Sequence, residues 1–198
     1  MDSWGIAAMS HYVSPKSGSI KSPTNVFLVG PMGAGKTSVG RQLAKFLGKR
    51  FIDSDREIEA HAGAAISLLF EMESESGFRR RERQMIDRLT RKKGIVLATG
   101  GGAVLSKENR THLVQRGFVV YLHASVTKLM QRTAGDKNRP LLQTSDPQGR
   151  LEEIVNQREP LYRQVANVVV NTDGGSPRYL ASRVVKYFEN MLDKTIPQ

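Results

Sequence analysis

The sequence predicts an α/β fold with a parallel five-stranded sheet covered by helices on both faces, and three observations carry that prediction. Short apolar runs alternate with amphipathic helical patterns from residue 25 onward, the arrangement that pairs strands in parallel through crossover helices. Residues 30–37 read Gly-Pro-Met-Gly-Ala-Gly-Lys-Thr and match the phosphate-cradling pattern G-x-x-x-x-G-K-[ST] at every fixed position. The apolar run Val26-Phe27-Leu28-Val29 precedes that motif and an amphipathic run follows it, so the motif lies between a strand and a helix.

Taken in order, Asn25–Val29 is the first strand. Ser38–Leu47 is a helix with Val39, Leu43, Phe46 and Leu47 on one face, stopped at Gly48. Phe51–Asp53 is a short second strand. Asp55–His61 and Ile66–Glu73 read as short helices separated at Gly63, and Phe78–Arg91 as a longer one with Phe78, Met85, Ile86 and Leu89 as its apolar positions. Ile95–Ala98 is a buried strand that runs into Gly100-Gly101-Gly102. Glu108–Gln115, Val126–Arg132, Leu151–Tyr162 and Tyr179–Leu192 are helical; Phe118–Leu122 and Val168–Val170 complete the strands. Residues 133–147 are polar, with Gly135, Pro140 and Pro147, and read as a flexible segment able to close as a lid.

The 198 residues suit one domain with a sizeable core. Hydrophobic content of 39% and charged content of 25% are those of a soluble globular protein. No apolar run is long enough for a membrane span, so no membrane partner is expected. The absence of cysteine excludes disulfides and thiolate chemistry and fits the cytoplasm. Residues 1–24 are rich in serine and proline, lack a secretory pattern and read as a loosely attached extension; the domain spans 25–193, and 194–198 form a tail. The formal charge of +11 admits polyanionic partners. Its densest cluster, Arg79-Arg80-Arg81-Glu82-Arg83, is short, interrupted by an acid and free of interleaved aromatics, so nucleic acid is not the expected partner.

The motif supplies the first chemistry. Its glycines turn backbone N–H groups of Gly33, Ala34, Gly35, Lys36, Thr37 and Ser38 toward phosphate oxygens at a helix N-terminus. Lys36 reaches the β- and γ-phosphates of ATP, and the Thr37 hydroxyl suits Mg²⁺. The strand Ile95–Ala98, where such proteins often carry a metal-binding aspartate, ends in Ala98-Thr99, which leaves Asp53 as the best acid for the metal. Asp53-Ser54-Asp55 closes the second strand; there Asp55 or Ser54 caps the next helix, and the two carboxylates orient Mg²⁺ and a substrate hydroxyl. Three successive glycines, Gly100–Gly102, allow close ligand approach or a tight turn. Arg79 and Arg158, each on a helix, would ordinarily lie on solvated faces, as would Arg80, Arg81 and Arg83. Arg139, just before Pro140 in the lid segment, is placed either to deliver a guanidinium to a transferring phosphoryl or simply on a surface loop. The four histidines show no metal-ligand spacing.

These pieces together resemble the shikimate kinase family. The resemblance runs from Asn25 to the C-terminal helix and rests on Gly30–Thr37, Asp53-Ser-Asp55, Phe78-Arg79-Arg80, Gly100–Gly102, Arg139-Pro-Leu-Leu142 and Arg158-Glu-Pro-Leu-Tyr162. It implies a P-loop kinase fold of the nucleoside monophosphate kinase type, with a substrate-binding segment over about 54–83 and a lid over about 133–147. It implies ATP-dependent phosphorylation of the 3-hydroxyl of shikimate on the route to aromatic amino acids, with Mg²⁺, by a monomer. By the same resemblance Arg79 and Arg158 bind the shikimate carboxylate, Asp55 binds ring hydroxyls and is the candidate base, and the Gly100–Gly102 backbone touches the substrate. Asp53 supports Mg²⁺, Arg139 meets the phosphates, and Arg132 and Pro177 flank adenine. Three other readings stand beside it: a kinase of another small acid such as gluconate, a nucleoside monophosphate kinase, and a basic nucleic-acid-binding or regulatory nucleotide-binding module.

Overall fold

The computed structural model describes residues 24–134 and 144–193. Arg139, most of the expected lid, the extension before residue 24 and the tail after 193 lie outside the described residues.

Five strands, β1 (Val26–Val29), β2 (Arg50–Asp53), β3 (Ile95–Ala98), β4 (Phe118–His123) and β5 (Val168–Asn171), form one parallel sheet in the order β2-β3-β1-β4-β5. The register pairs Val26 with Val96 on one side of β1 and with Phe118 on the other. Side chains alternate across a strand. Accordingly Val26 and Leu28 join one core and Phe27 and Val29 the other, and all four are fully buried. This is why β1 reads as an unbroken apolar run rather than an alternating one.

Seven helices are described: α1 (Lys36–Phe46), α2 (Ser54–Ala62), α3 (Ile66–Thr90), α4 (Lys107–Arg116), α5 (Val126–Thr133), α6 (Pro147–Val165) and α7 (Pro177–Asp193). On one face of the sheet α1 packs with α7 through Val39, Leu43, Leu180, Val184 and Phe188. On the other, α3 and α4 bury Phe78, Ile86, Leu89 and Leu113 against Phe27, Leu97 and Val119. Helix α6 serves both: Leu151 and Val155 enter the first core, Tyr162 and Val165 the second.

The expected pair of helices over 66–91 is present: α3 is two helical halves that meet at Ser74, which leaves the helical conformation at φ 62° and ψ 174°. Three local features differ from the sequence reading. Pro147 does not end the polar segment; it opens α6 as its first residue, where a missing N–H costs nothing, under an Asp146 cap that accepts Gly149 N–H at 2.9 Å. Helix α7 likewise starts at Pro177. The cap of α2 is neither Asp55 nor Ser54 but Asp53, whose carboxylate accepts the Asp55 N–H at 3.1 Å.

Candidate active site

The carboxyl ends of the parallel strands carry the site, as expected for this architecture. Gly30 follows β1 with φ 142°, and a Cβ there would lie 2.4 Å from the Leu122 carbonyl oxygen. The loop therefore leaves the sheet through a point that only glycine passes. Gly33 and Gly35 also take positive φ, and Gly35 is the left-handed N-cap of α1. Lys36 and Thr37 consequently occupy the first helical turn, where the N-terminal partial charge is concentrated. The Lys36 ammonium donates to the Gly30 and Pro31 carbonyls at 2.7 and 2.8 Å, which keeps it over the loop.

A cavity of about 560 Å³ opens above the loop, lined by Gly33–Ser38, Asp53, Thr99, Arg132 and Pro177 among others. Arg132 donates to the Gly33 carbonyl at 3.2 Å, to the Thr172 hydroxyl at 3.2 Å and to the Thr172 carbonyl. It thus fastens the phosphate loop to the segment after β5. Thr99, where an acid is absent, is buried and donates through both N–H and Oγ1 to the Leu28 carbonyl. Asp53 stands in its place: Thr37 Oγ1 donates to Asp53 Oδ2 at 2.8 Å. A hydroxyl and a carboxylate oxygen side by side suit Mg²⁺, a hard ion that takes few protein oxygens and completes its shell with water and phosphate.

A second cavity of about 300 Å³ adjoins the first, and Met32, Asp55 and Gly101 line both. Its walls include Phe70 and Phe78, whose rings lie 4.7 Å apart, together with Arg79, Glu82, Gly100–Gly102 and Arg158. The two arginines are not on solvated faces. Arg79 is 17% exposed and donates through Nη1 to Glu82 Oε2 at 2.7 Å; Arg158 is 5% exposed and its Nε has no hydrogen-bond partner. By contrast Arg80 and Arg83 are exposed as expected, and Arg81 pairs with Glu73.

The glycine triplet is explained by these neighbours. None of the three takes positive φ. A Cβ on Gly100 would lie 2.6 Å from Asp55 Oδ1 and 2.8 Å from Glu82 Oε1; on Gly102 it would meet the Arg79 guanidinium at 2.2–2.4 Å. Gly100 and Gly102 make room for the chain's own charged groups, and Gly101 faces both cavities.

Burial pushes the Asp55 carboxyl up to about 7, assisted by the negative charges of Glu82 and Asp53 and opposed by Lys36 and the Ser54 hydroxyl. Such acidity is far from the usual aspartate value near 3.8 and follows from the surroundings alone. Burial also raises Glu82, against the pull of Arg79 and Arg158, and lowers Arg158, partly offset by Tyr162.

The roles of three residues escaped the sequence reading. Glu82 was visible only as an interruption of a basic cluster, although it lies one helical turn after Arg79. Ser54, fully buried, accepts the Gly100 N–H at 2.9 Å and so ties the glycine loop to the Asp55 turn. Tyr162, four residues after Arg158, donates to the Gly101 carbonyl and stacks on Tyr121 with centroids 5.0 Å apart.

A family profile described as shikimate kinase matches residues 32–189. The chain belongs to the shikimate kinase family. Shikimate kinases of Methylococcus capsulatus and Pasteurella multocida are each 53% identical to it, over 86% and 84% of this chain and 95% and 96% of theirs. The solved shikimate kinase of Acinetobacter baumannii, in complex with shikimate, is 49% identical, superposes with a TM-score of 0.84 and covers 86% of this chain and 95% of its own. The P-loop kinase fold is thereby shared, and the chain is a shikimate kinase in activity: it phosphorylates shikimate with ATP on the route to aromatic amino acids.

Proposed function

We propose that the larger cavity holds ATP and the smaller one shikimate, and that the γ-phosphoryl passes in line to the 3-hydroxyl where the two meet. The observation that carries this is the junction at Asp55: one titratable carboxylate lines both cavities, with a phosphate loop on one side and two largely buried guanidinium groups on the other. Arg79 and Arg158 receive the acceptor carboxylate; planar guanidinium groups match it in bidentate geometry. The orphaned Nε of Arg158 supports that role, because a buried donor without a partner is costly unless a ligand satisfies it.

Phosphoryl transfer depends on positioning and charge neutralisation more than on covalent help. Asp55 aligns the attacking hydroxyl and accepts its proton, and a carboxylate shifted toward neutral pH is well matched to that task. Lys36 and the loop N–H groups of Gly33–Ser38 neutralise the phosphates, with Arg139, outside the described residues, assigned to the same charge. Thr37 and Asp53 would hold Mg²⁺, which supplies charge neutralisation at the phosphates. Arg132 and Pro177 flank the adenine. The backbone of Gly100–Gly102 contacts the acceptor ring. We place the enzyme in the cytoplasm as a monomer; among the described residues no helix is long and apolar enough to cross a membrane.

The test is ADP release with Mg²⁺-ATP against shikimate, gluconate and nucleoside monophosphates in parallel. A signal with shikimate alone is expected. Release with a nucleoside monophosphate instead would overturn the acceptor assignment. Lys36→Ala is expected to remove nearly all turnover with far-UV circular dichroism unchanged, and Arg79→Ala to raise the KM for shikimate far more than that for ATP.

A further inference from the structure

Arg79 is held from two sides, and only one of them belongs to the buried Arg79–Glu82 pair. Its Nε–H and Nη2–H both donate to a single oxygen of Glu75, at 3.2 and 2.9 Å. A guanidinium has five N–H donors. Glu75 takes two and Glu82 one, which leaves one N–H on each terminal nitrogen, the number a bidentate carboxylate uses.

Glu75 is placed by unusual means. The preceding residue, Ser74, holds φ 62° and ψ 174°, a region that costs of order kilocalories for any side chain and persists where surrounding contacts enforce it. Those contacts are present. Glu73 and Arg81 pair across the joint at a separation of eight residues, outside helical spacing. Gly77 admits the Glu73 stem, since a Cβ there would lie 2.5 Å from Glu73 Cβ. The Ser74 and Ser76 hydroxyls are 2.9 Å apart. The half of α3 before the joint carries Ile66, Ser67 and Phe70 of the acceptor cavity, and the half after it carries Phe78, Arg79 and Glu82. Glu75 is the first residue of the second half, and its charge is also felt by Arg158 and Glu82.

We propose that Glu75 is a positioning residue for acceptor recognition: its carboxylate fixes the plane of the Arg79 guanidinium so that the remaining pair of N–H groups faces the incoming carboxylate. This rests on the acceptor assignment above. An exposed helical ion pair with no such role would change KM by no more than about twofold on removal. Glu75→Ala is expected to raise the KM for shikimate about tenfold, with the KM for ATP within about twofold of the wild type, because loss of a charge-assisted anchor acts on one substrate only. Glu75→Gln keeps an acceptor oxygen for the Nε–H and is expected to restore part of the loss. It also serves if the alanine variant folds poorly, which a urea midpoint reports.

The experiment is initial-rate ADP release with each substrate varied in turn. A shikimate KM that is unchanged, or lower, in both variants overturns the proposal, as does an equal rise in both KM values. If wild-type enzyme releases no shikimate-dependent ADP, the acceptor assignment itself fails. Wild-type activity with unaltered variants strikes Glu75 alone.

Discussion

At the scale of single residues, Asp55 decides most. Its identity is ordinary and its environment is not: burial and two neighbouring carboxylates hold its proton to about pH 7. Since the deprotonated form is the one that accepts a proton, kcat is expected to fall as pH drops through about 7, measured by ADP release between pH 5.5 and 9. The same shift has a stability consequence of defined sign. A carboxyl whose folded acidity is raised favours the folded state at low pH, and that contribution is lost as pH rises from the unfolded value toward about 7. Asp55→Asn is therefore expected at pH 8 to lower kcat by roughly 100-fold or more and to raise Tm by roughly 2–4 °C. Normal kcat would remove both the base and the alignment role. Asp53 illustrates a residue with two neighbours at once. One oxygen caps α2 through the Asp55 N–H, and the other receives the Thr37 hydroxyl.

At the scale of elements, two short stretches set the acceptor cavity. The glycine loop must pass within contact distance of charged side chains. Gly102→Ala places a methyl group against the Arg79 guanidinium, which has two carboxylate anchors to hold it in place. The expected result is a rise of about tenfold in shikimate KM, the loss of about one charge-assisted hydrogen bond, with little change in the urea midpoint. The joint in α3 acts in the opposite sense. Ser74→Gly removes the cost of a positive φ on a residue with a side chain and is expected to stabilise the fold by about 1 kcal/mol, read from the urea midpoint. The sequence pattern ends one helix at Glu73 and begins the next at Phe78, on either side of Ser74, so the location of the joint was legible. Its geometry was not, because it depends on Glu73 meeting Arg81.

At the scale of the whole molecule, a two-sided core supports a site assembled from distant segments. Phe27, on the central strand, is fully buried and packs where Gly117 leaves room for its ring. Phe27→Ala is expected to cost about 3–5 kcal/mol of stability, as a cavity in a filled core does, lowering the urea midpoint. The strand order brings the ends of β1, β2 and β3 side by side, so Lys36, Asp55 and Gly101 line one cavity although they are far apart in sequence. The +11 charge is absorbed only in part by this site; Arg91 and Arg116 gather on Asp87, and Arg150 and Arg163 pair with Glu153 and Glu159.

By itself the sequence determined the phosphate loop, the order of strands and helices, the place of the acids and arginines, and the family resemblance. Those depend on local rules: glycine where φ is positive, alternation in strands, one apolar stripe per helix. Only the tertiary structure decided that Arg158 is buried and Arg79 largely so, that Glu82 pairs with Arg79, that Asp53 rather than Asp55 caps α2, and that Asp55 holds its proton to neutral pH. The physical reason is that burial and electrostatics are properties of neighbours. Beyond Asp53 and Ser54, the neighbours of Asp55 arrive from three separate elements, α1 with Lys36, α3 with Glu82 and the loop after β3 with Gly100, and nothing in residues 53–55 encodes their approach.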